Sequence, residues 1–376
     1  MIYNEFKDKK LSALGMGCMR LPTKEGFSDI DIDAVREMVK YAIDNGVNYF
    51  DTAWGYHNGQ SELVIGEVLS EYPRDKFYLA SKFPGYDLSN MDKVEEIFEK
   101  QLKKCRVDYF DFYLIHNVCE ANIDEYLNPA HGILPYFLKQ KSNGRIRHFG
   151  FSVHGTYETM ERFLAVYGEY MEFAQVQLNY IDWDFQSARA KVERLKELNI
   201  PVWVMEPIRG GSLATLDTEH MEKLNAFRKD IKAPEWAFRF LQSIENVVVT
   251  LSGMSNFDQL KENIETFKTF EPVSAEEWNA LIEIANEKTG RASLPCTSCR
   301  YCVTHCPLEL DIPRIIELYN EHRYSHGGFI PSMAVDSMSE EKRPSACLSC
   351  HACEEVCPQN IKISEMMSDF SEKLKK

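Results

Sequence analysis

No apolar run in the chain approaches the roughly 20 residues that a membrane-spanning helix needs, and the first segment, MIYNEFKDKKLSALG, has no apolar core of the secretory type. A cytoplasmic protein without a membrane span is therefore expected. Positive charge is also scarce: 43 Lys+Arg stand against 58 Asp+Glu, a net charge of -15. Such a balance repels phosphate backbones and anionic lipid, so nucleic acid is not an expected partner. No GxGxxG follows the first strand-like segment, which removes the fingerprint of an open, doubly wound dinucleotide-binding sheet. Low-complexity tracts are absent, and 44% hydrophobic residues are enough to exclude a wholly disordered or collagen-like chain.

What the chain does contain, up to about residue 255, is a repeated alternation of short β-branched or aromatic runs with longer amphipathic stretches. Strands are expected at Ala13 to Met19, Val47 to Ala53, Phe77 to Phe83, Phe110 to Asn117, Ile146 to Val153, Phe173 to Asn179, Val202 to Pro207 and Val247 to Gly253. Helical spacing fills the gaps, as in IDAVREMVKYAIDNG, where Gly46 is placed as a C-terminal stop. Eight such β/α alternations predict an α/β fold, a closed (β/α)8 TIM barrel. At 376 residues the chain exceeds the ~250 typical of such a barrel, and the helical pattern breaks at RASLPC. The boundary is placed near Gly290, giving a barrel over 1–290 and a second domain over 291–376. The second domain has 10 Lys+Arg and 12 Asp+Glu, so most of the acidity belongs to the barrel.

Barrel enzymes build their sites at the C-terminal ends of strands, and polar residues there carry the chemistry. Asp51 ends the second strand and Tyr56 follows in DTAWGY; Lys82 ends the third in LASKF; His116 ends the fourth in FYLIHN. Singly, each is more often a solvated polar group or a surface aromatic. Together they suggest a phenol whose pKa is lowered by a neighbouring ammonium, placed to donate a proton near a carbonyl that the His helps to bind.

These segments, with SE shortly after DTAWGY, resemble the Asp, Tyr, Lys and His tetrad of the aldo-keto reductases, and the likeness covers roughly Leu11 to Phe267. The resemblance implies hydride transfer between NADP or NAD and a small-molecule carbonyl or alcohol. Tyr56 would be the general acid, Asp51 and Lys82 would tune it, and His116 would orient the carbonyl. GFS and VQLN place Ser152 and Gln177 where the family holds the nicotinamide carboxamide. SGMSNFDQLKEN resembles its adenosine segment, with Ser255, Gln259, Glu262 and Asn263 as candidates; a capped helix N-terminus, the plainer reading, is compatible with that role. The sequence departs from the family at Val153, where an Asn is common, and at Met205, where an aromatic residue commonly stacks on nicotinamide. Gly253 and Gln259 stand near positions where members selective for a 2′-phosphate often have Lys or Arg, which leaves NADP against NAD open. Arg209, beside Gly210 and Gly211, is either a cation for the pyrophosphate or an exposed loop residue.

Eleven Cys in a chain of this length, most of them in two runs, indicate metal rather than disulfides. Cys296, Cys299, Cys302 and Cys306 form the first run, and Cys347, Cys350, Cys353 and Cys357 repeat its spacing, each ending in CysPro. This is the bacterial ferredoxin pattern for [4Fe–4S] clusters; zinc sites built on paired CxxC units require neither the third Cys nor the final CysPro. Because the fourth Cys of each run ligates the other cluster in two-cluster ferredoxins, the expected sets are Cys296, Cys299, Cys302, Cys357 and Cys347, Cys350, Cys353, Cys306. DIPRIIELYNEHRY reads as a helix between the runs, so the module is mainly helical. Cys18, Cys105 and Cys119 are expected as packed thiols.

An aldo-keto reductase fused to a dicluster ferredoxin-like domain is the leading reading. The alternative is a nicotinamide-sensing electron carrier with little carbonyl turnover, whose clusters dock a redox partner protein. Nicotinamide moves two electrons as hydride whereas a cluster accepts one, so cofactor electrons would need a flavin or similar converter to reach the clusters. No flavin motif is visible.

Overall fold

A hairpin that the strand pattern does not anticipate opens the structure: β1 (Tyr3–Phe6) pairs antiparallel with β2 (Lys9–Ser12). Its arms are too short to show an alternation. The computed structural model, which describes residues 1–25, 29–296, 299–357 and 359–375, continues with eight strands that fall within or closely over the expected segments. They are β3 (Leu14–Gly17), β4 (Tyr49–Asp51), β5 (Tyr78–Phe83), β6 (Phe110–Val118), β7 (Ile146–Val153), β8 (Ala174–Gln177), β9 (Val202–Met205) and β10 (Val247–Ser252). All pair in parallel in chain order, and β10 closes the barrel on β3 through Thr250 opposite Leu14.

Inside the barrel, alternate residues of the strands form an apolar floor of Tyr49, Ala80, Phe112, Leu114, Phe173, Trp203, Val249 and Leu251. Phe6 of the hairpin inserts from below, its ring 5.1 Å from Trp203 and 5.7 Å from Phe112. The N-terminal end is thus plugged by an aromatic side chain.

Outside the strands, the helices take the forms that their sequences suggest. Asp31 caps Ile32–Asp44 by accepting from the Ala34 N–H at 3.2 Å, and Gly46 follows that helix at φ +90°, a conformation in which an L side chain is strained. Among the described residues no helix is long and apolar enough to cross a membrane.

The chain divides into two compact units, Met1–Leu281 and Ile282–Lys376. The division falls within helix Ala275–Ala292, which runs through Gly290 instead of ending there. In the second unit Leu310, Ile315, Ile316, Met367 and Phe370 form a separate core. Each cysteine run ends in a loop followed by a helix, Ile312–Tyr324 after the first and Ile363–Lys373 after the second, so the internal repeat extends beyond the cysteines.

Candidate active site and cluster cavities

Successive inward positions on one strand lie two residues apart. Moving up from the apolar floor therefore leads from Tyr49 to Asp51, from Ala80 to Lys82, from Leu114 to His116, from Phe173 to Gln175 and Gln177, and from Trp203 to Met205. The barrel interior changes from aromatic to ionisable within one layer, and the four residues of the expected tetrad meet there.

Lys82 is fully buried, and its ammonium uses all three donors: Asp51 Oδ1 at 2.5 Å, the Thr52 carbonyl at 3.0 Å and the Tyr56 hydroxyl at 3.0 Å. The other Asp51 oxygen accepts from Gln175 Nε2 at 3.2 Å. Gln175 is a member that the motif does not name, although its inward register two residues before Gln177 would have revealed it. His116 stands edge-on to Tyr56, with ring centroids 6.1 Å apart, and edge-on to Tyr86 at 5.2 Å. Its Nδ1 is buried without a hydrogen-bond partner.

The loop carrying Tyr56 is pinned at several points. His57 Nε2 accepts from the Leu21 N–H at 3.0 Å, and Ser61 Oγ donates to the Cys18 carbonyl at 2.8 Å while lying 2.9 Å from Thr52 Oγ1. The SE of the motif gains a physical role in Glu62, which is fully buried and accepts from Ser81 and Gln101, each at 2.7 Å. Gln101 also donates to the Lys82 carbonyl at 3.0 Å. Lys104 donates to Glu62 at 3.2 Å and lies 4.0 Å over the Trp54 ring, so one carboxylate braces the Lys82 backbone and the loop before Tyr56.

Burial dominates the protonation of this cluster. It raises the Asp51 pKa despite the nearby Lys82 ammonium. Burial opposes the Lys82 charge as well and is the largest single influence, but Asp51 and Tyr56 together outweigh it and hold Lys82 above its ordinary range. For Tyr56 the expectation of a lowered phenol pKa is corrected: burial lifts it further than Lys82 depresses it, and the net shift is upward. Burial, then Lys82 and His154, hold His116 well below its usual value, so its imidazole is neutral at physiological pH.

From Asp51 and Tyr56 a groove of about 1120 Å³, open to solvent, passes Met205 and Gly253 and reaches Ser255, Gln259, Glu262 and Asn263. All four expected adenosine-segment residues and Met205 therefore line one channel with Asp51 and Tyr56. The helix Phe257–Thr266 begins beside it, capped by Asn256, and Asn263 Nδ2 donates to Ser252 Oγ at 3.0 Å.

Ser152 and Gln177 sit near the ends of neighbouring strands, but their polar groups already have protein partners. Ser152 Oγ accepts from the Asn117 N–H at 2.8 Å, and Gln177 Nε2 donates to Asp182 at 2.9 Å. Asp182 is fully buried; it also accepts from Asn179 at 2.7 Å and pairs with Arg209 at 2.9 Å. Arg209 is therefore neither exposed nor among the groove-lining residues: its guanidinium is buried against Asp182. Among the described lining residues the groove's cation is Arg20, which no motif marks.

In the second unit the cysteines line two cavities. Cys306, Cys347, Cys350 and Cys353 share one with Leu308, Ile363 and Met367. Cys296, Cys299, Cys302 and Cys357 share the other with Ile316 and Ile361. In each cavity three thiols of one run meet the fourth of the other. They surround a space without converging on one centre: among the described residues no three His, Cys, Asp or Glu side chains are gathered tightly enough to hold a single metal ion. Cys18, Cys105 and Cys119 are buried in the barrel unit.

The family model "Aldo/keto reductase family" matches residues 13–286, and that of the "4Fe-4S dicluster domain" matches residues 295–361. A probable aldo-keto reductase of Glycine max is 26% identical over 210 residues, 54% of this chain and 57% of its own length, so the chain spans little more than half of that relative. An uncharacterized oxidoreductase of Bacillus subtilis is 25% identical over 289 residues, covering 69% of this chain and 88% of the relative. Among solved structures, an aldo-keto reductase from Klebsiella pneumoniae in complex with NADPH superimposes with a TM-score of 0.58 at 19% identity, over 76% of this chain and 96% of that one; at this identity the likeness speaks for the fold. With a family model matching most of its length and the same barrel in its structure, this chain belongs to the aldo/keto reductase family of oxidoreductases, joined to a C-terminal 4Fe-4S dicluster domain.

Proposed function

We propose that the barrel interconverts an aldehyde or ketone and its alcohol with NADP or NAD, and that Tyr56 is the proton donor. The observation that carries this reading is the buried Lys82 ammonium, held between Asp51 and the Tyr56 hydroxyl at one end of a groove that runs on to Ser255, Gln259, Glu262 and Asn263. When bound, the nicotinamide supplies or accepts the hydride. The chain's own residues do the rest. Burial keeps Tyr56 protonated before the reaction, and the Lys82 ammonium stabilises the phenolate left after proton transfer, so no uncompensated charge is stranded in a dry site. Neutral His116 donates an N–H to the carbonyl oxygen and fixes its position against Tyr56. Ser152, Gln177 and Met205 would border the nicotinamide, and Ser255, Gln259, Glu262 and Asn263 would hold the adenosine end. The NADPH complex of the Klebsiella protein supports this use of the groove.

In the second unit the donor chemistry fits two [4Fe–4S] clusters, one on Cys296, Cys299, Cys302 and Cys357 and the other on Cys347, Cys350, Cys353 and Cys306. Their thiolates would hold the irons, and the apolar side chains around them would exclude water. The clusters would exchange single electrons with a redox partner protein or brace the unit, and a flavin would be needed for nicotinamide electrons to enter them.

Anaerobically purified protein, assayed with NADH and NADPH against a panel of aldehydes and ketones, tests the reading. Nicotinamide-dependent turnover with about eight irons per chain, two cubanes of four, is expected. Nucleotide binding without turnover on any carbonyl would favour a sensor, and stoichiometric zinc without iron would refute the clusters.

A further inference from the structure

His116 sits at an irregularity in the sheet. Up to Ile115, which lies opposite Phe151, β6 and β7 keep one register, but the next pair is Val118 opposite Val153. Two residues of β6, His116 and Asn117, therefore stand against one residue of β7, Ser152. This is a β-bulge, which bends a strand and re-aims the side chains it carries. Asn117 completes it with a left-handed backbone at φ 57°, a conformation that Asn tolerates better than most side chains. The extra residue takes backbone groups out of the ladder, and when buried each of them needs another partner.

Three buried side chains supply those partners, Ser152, Asn122 and Tyr126. The Asn117 N–H donates to Ser152 Oγ at 2.8 Å, and the Asn117 carbonyl accepts from Asn122 Nδ2, also at 2.8 Å. Asn122 is fixed in turn, because its Oδ1 accepts from the Cys119 N–H at 3.0 Å. The His116 carbonyl accepts from the Tyr126 hydroxyl at 2.7 Å. Tyr126 lies on the helix Ile123–Leu127, in the segment that follows β6, and its own carbonyl accepts from the Tyr167 hydroxyl at 2.6 Å. A Cβ at Gly85 would lie 2.3 Å from the Tyr126 hydroxyl oxygen, so the loop after β5 admits this hydroxyl because residue 85 is a glycine. The backbone of His116 and Asn117 is thus clamped from β7 and from the segment after β6. The imidazole has no partner at Nδ1 and two aromatic edges beside it, so the clamped backbone does most to aim it.

We propose that Ser152, Asn122 and Tyr126 are positioning residues that aim the His116 imidazole by clamping the bulge that carries it. The inference rests on the carbonyl reading of the barrel and adds how His116 is directed within it. It also widens the part played by Ser152. The family likeness suggests a nicotinamide ligand, whereas its oxygen here serves the strand that carries His116. A hydroxyl that accepts one hydrogen bond can donate another, so the two roles are compatible. Tyr126→Phe, which removes the bond to the His116 carbonyl and keeps the ring, is the cleaner probe.

The test uses the full-length protein in single turnovers of an accepted carbonyl with saturating NADH or NADPH, with Tyr126→Phe and Ser152→Ala made both in wild type and in His116→Ala. Tyr126→Phe should slow nicotinamide oxidation about tenfold, because a small misplacement of a positioning group is enough for such a loss. Its nucleotide dissociation constant should not change. Ser152→Ala should slow the reaction by a similar factor. In His116→Ala neither substitution should slow it further, because no imidazole remains to be aimed. If Tyr126→Phe does not fold by its urea midpoint, the same comparison for Ser152→Ala decides. Tyr126→Phe as fast as wild type would overturn the proposal. So would equal losses with and without His116, which mark a general structural role, or a Ser152→Ala rate that more nucleotide restores, which marks a cofactor ligand alone. Wild-type protein without carbonyl turnover, or His116→Ala as active as wild type, would instead defeat the carbonyl reading beneath it.

Discussion

Replacing Lys82 by Met keeps the length of the side chain while removing its charge. Lys82 is completely buried, and its three hydrogen bonds go to Asp51, Thr52 and Tyr56. Its loss leaves the Asp51 carboxylate, itself buried, with Gln175 as its remaining side-chain donor. Breaking one side of a buried ion pair costs about 3–5 kcal/mol, a large part of the total stability of an ordinary domain. All five tryptophans lie in the barrel unit, at 54, 183, 203, 236 and 278, so urea unfolding followed by tryptophan fluorescence reports on the barrel alone. The sign of the pH dependence follows from Asp51: burial already raises its pKa, and without Lys82 nothing comparable opposes burial. An acid with a raised folded-state pKa contributes most stability where it is protonated, so the destabilisation of Lys82→Met should shrink as the pH falls towards and below that raised value. Adding Asp51→Leu should restore most of the stability but none of the activity. A single variant as stable as wild type at neutral pH, or a double variant no better than the single, would refute the assignment of an ion pair at this site.

Other outcomes follow from the same geometry. Burial lowers the pKa of His116 well below its usual value and that of His154 to about 4; both are neutral when folded, so stability present above about pH 6.5 is lost as the pH falls towards 4. Urea midpoints across that range should drop less in His154→Asn, and a pH-independent midpoint in wild type would contradict the burial argument. For the clusters, Cys357→Ser should alter the electron paramagnetic resonance signal of the cluster on Cys296, Cys299 and Cys302, and Cys306→Ser that of the other. Loss of the cluster on the substituted residue's own run would show that the fourth cysteines do not cross over.

The barrel was readable in the sequence because strands buried on both faces must be continuous apolar runs, and eight of them fall between helical stretches. The hairpin was not, since arms of four residues carry no period, and its anchoring Phe6 reads as any aromatic residue. The tetrad was legible because its members end strands. Gln175 could have been found from its register with Gln177, whereas Glu62 and Asp182 act through contacts with residues distant in sequence, which no local spacing encodes. The two arginines show the limit most plainly: Arg209 stands in a glycine-rich loop that suggests phosphate, yet Asp182, distant in sequence, claims it, while Arg20, which no motif marks, follows the first barrel strand and lines the groove. The direction of the Tyr56 shift likewise depends on how deeply the phenol is buried, a property of the closed barrel mouth.

Tyr56→Phe tests the central claim most directly. The substitution keeps the ring against His116 and leaves the Lys82 ammonium its bonds to Asp51 and Thr52, so fold and groove survive. In a single-turnover experiment with an accepted carbonyl and saturating NADH or NADPH, the rate of nicotinamide oxidation should fall by about 10²-fold or more, with the nucleotide dissociation constant unchanged. A rate within a few-fold of wild type, or a loss explained wholly by weaker nucleotide binding, would contradict Tyr56 as the proton donor.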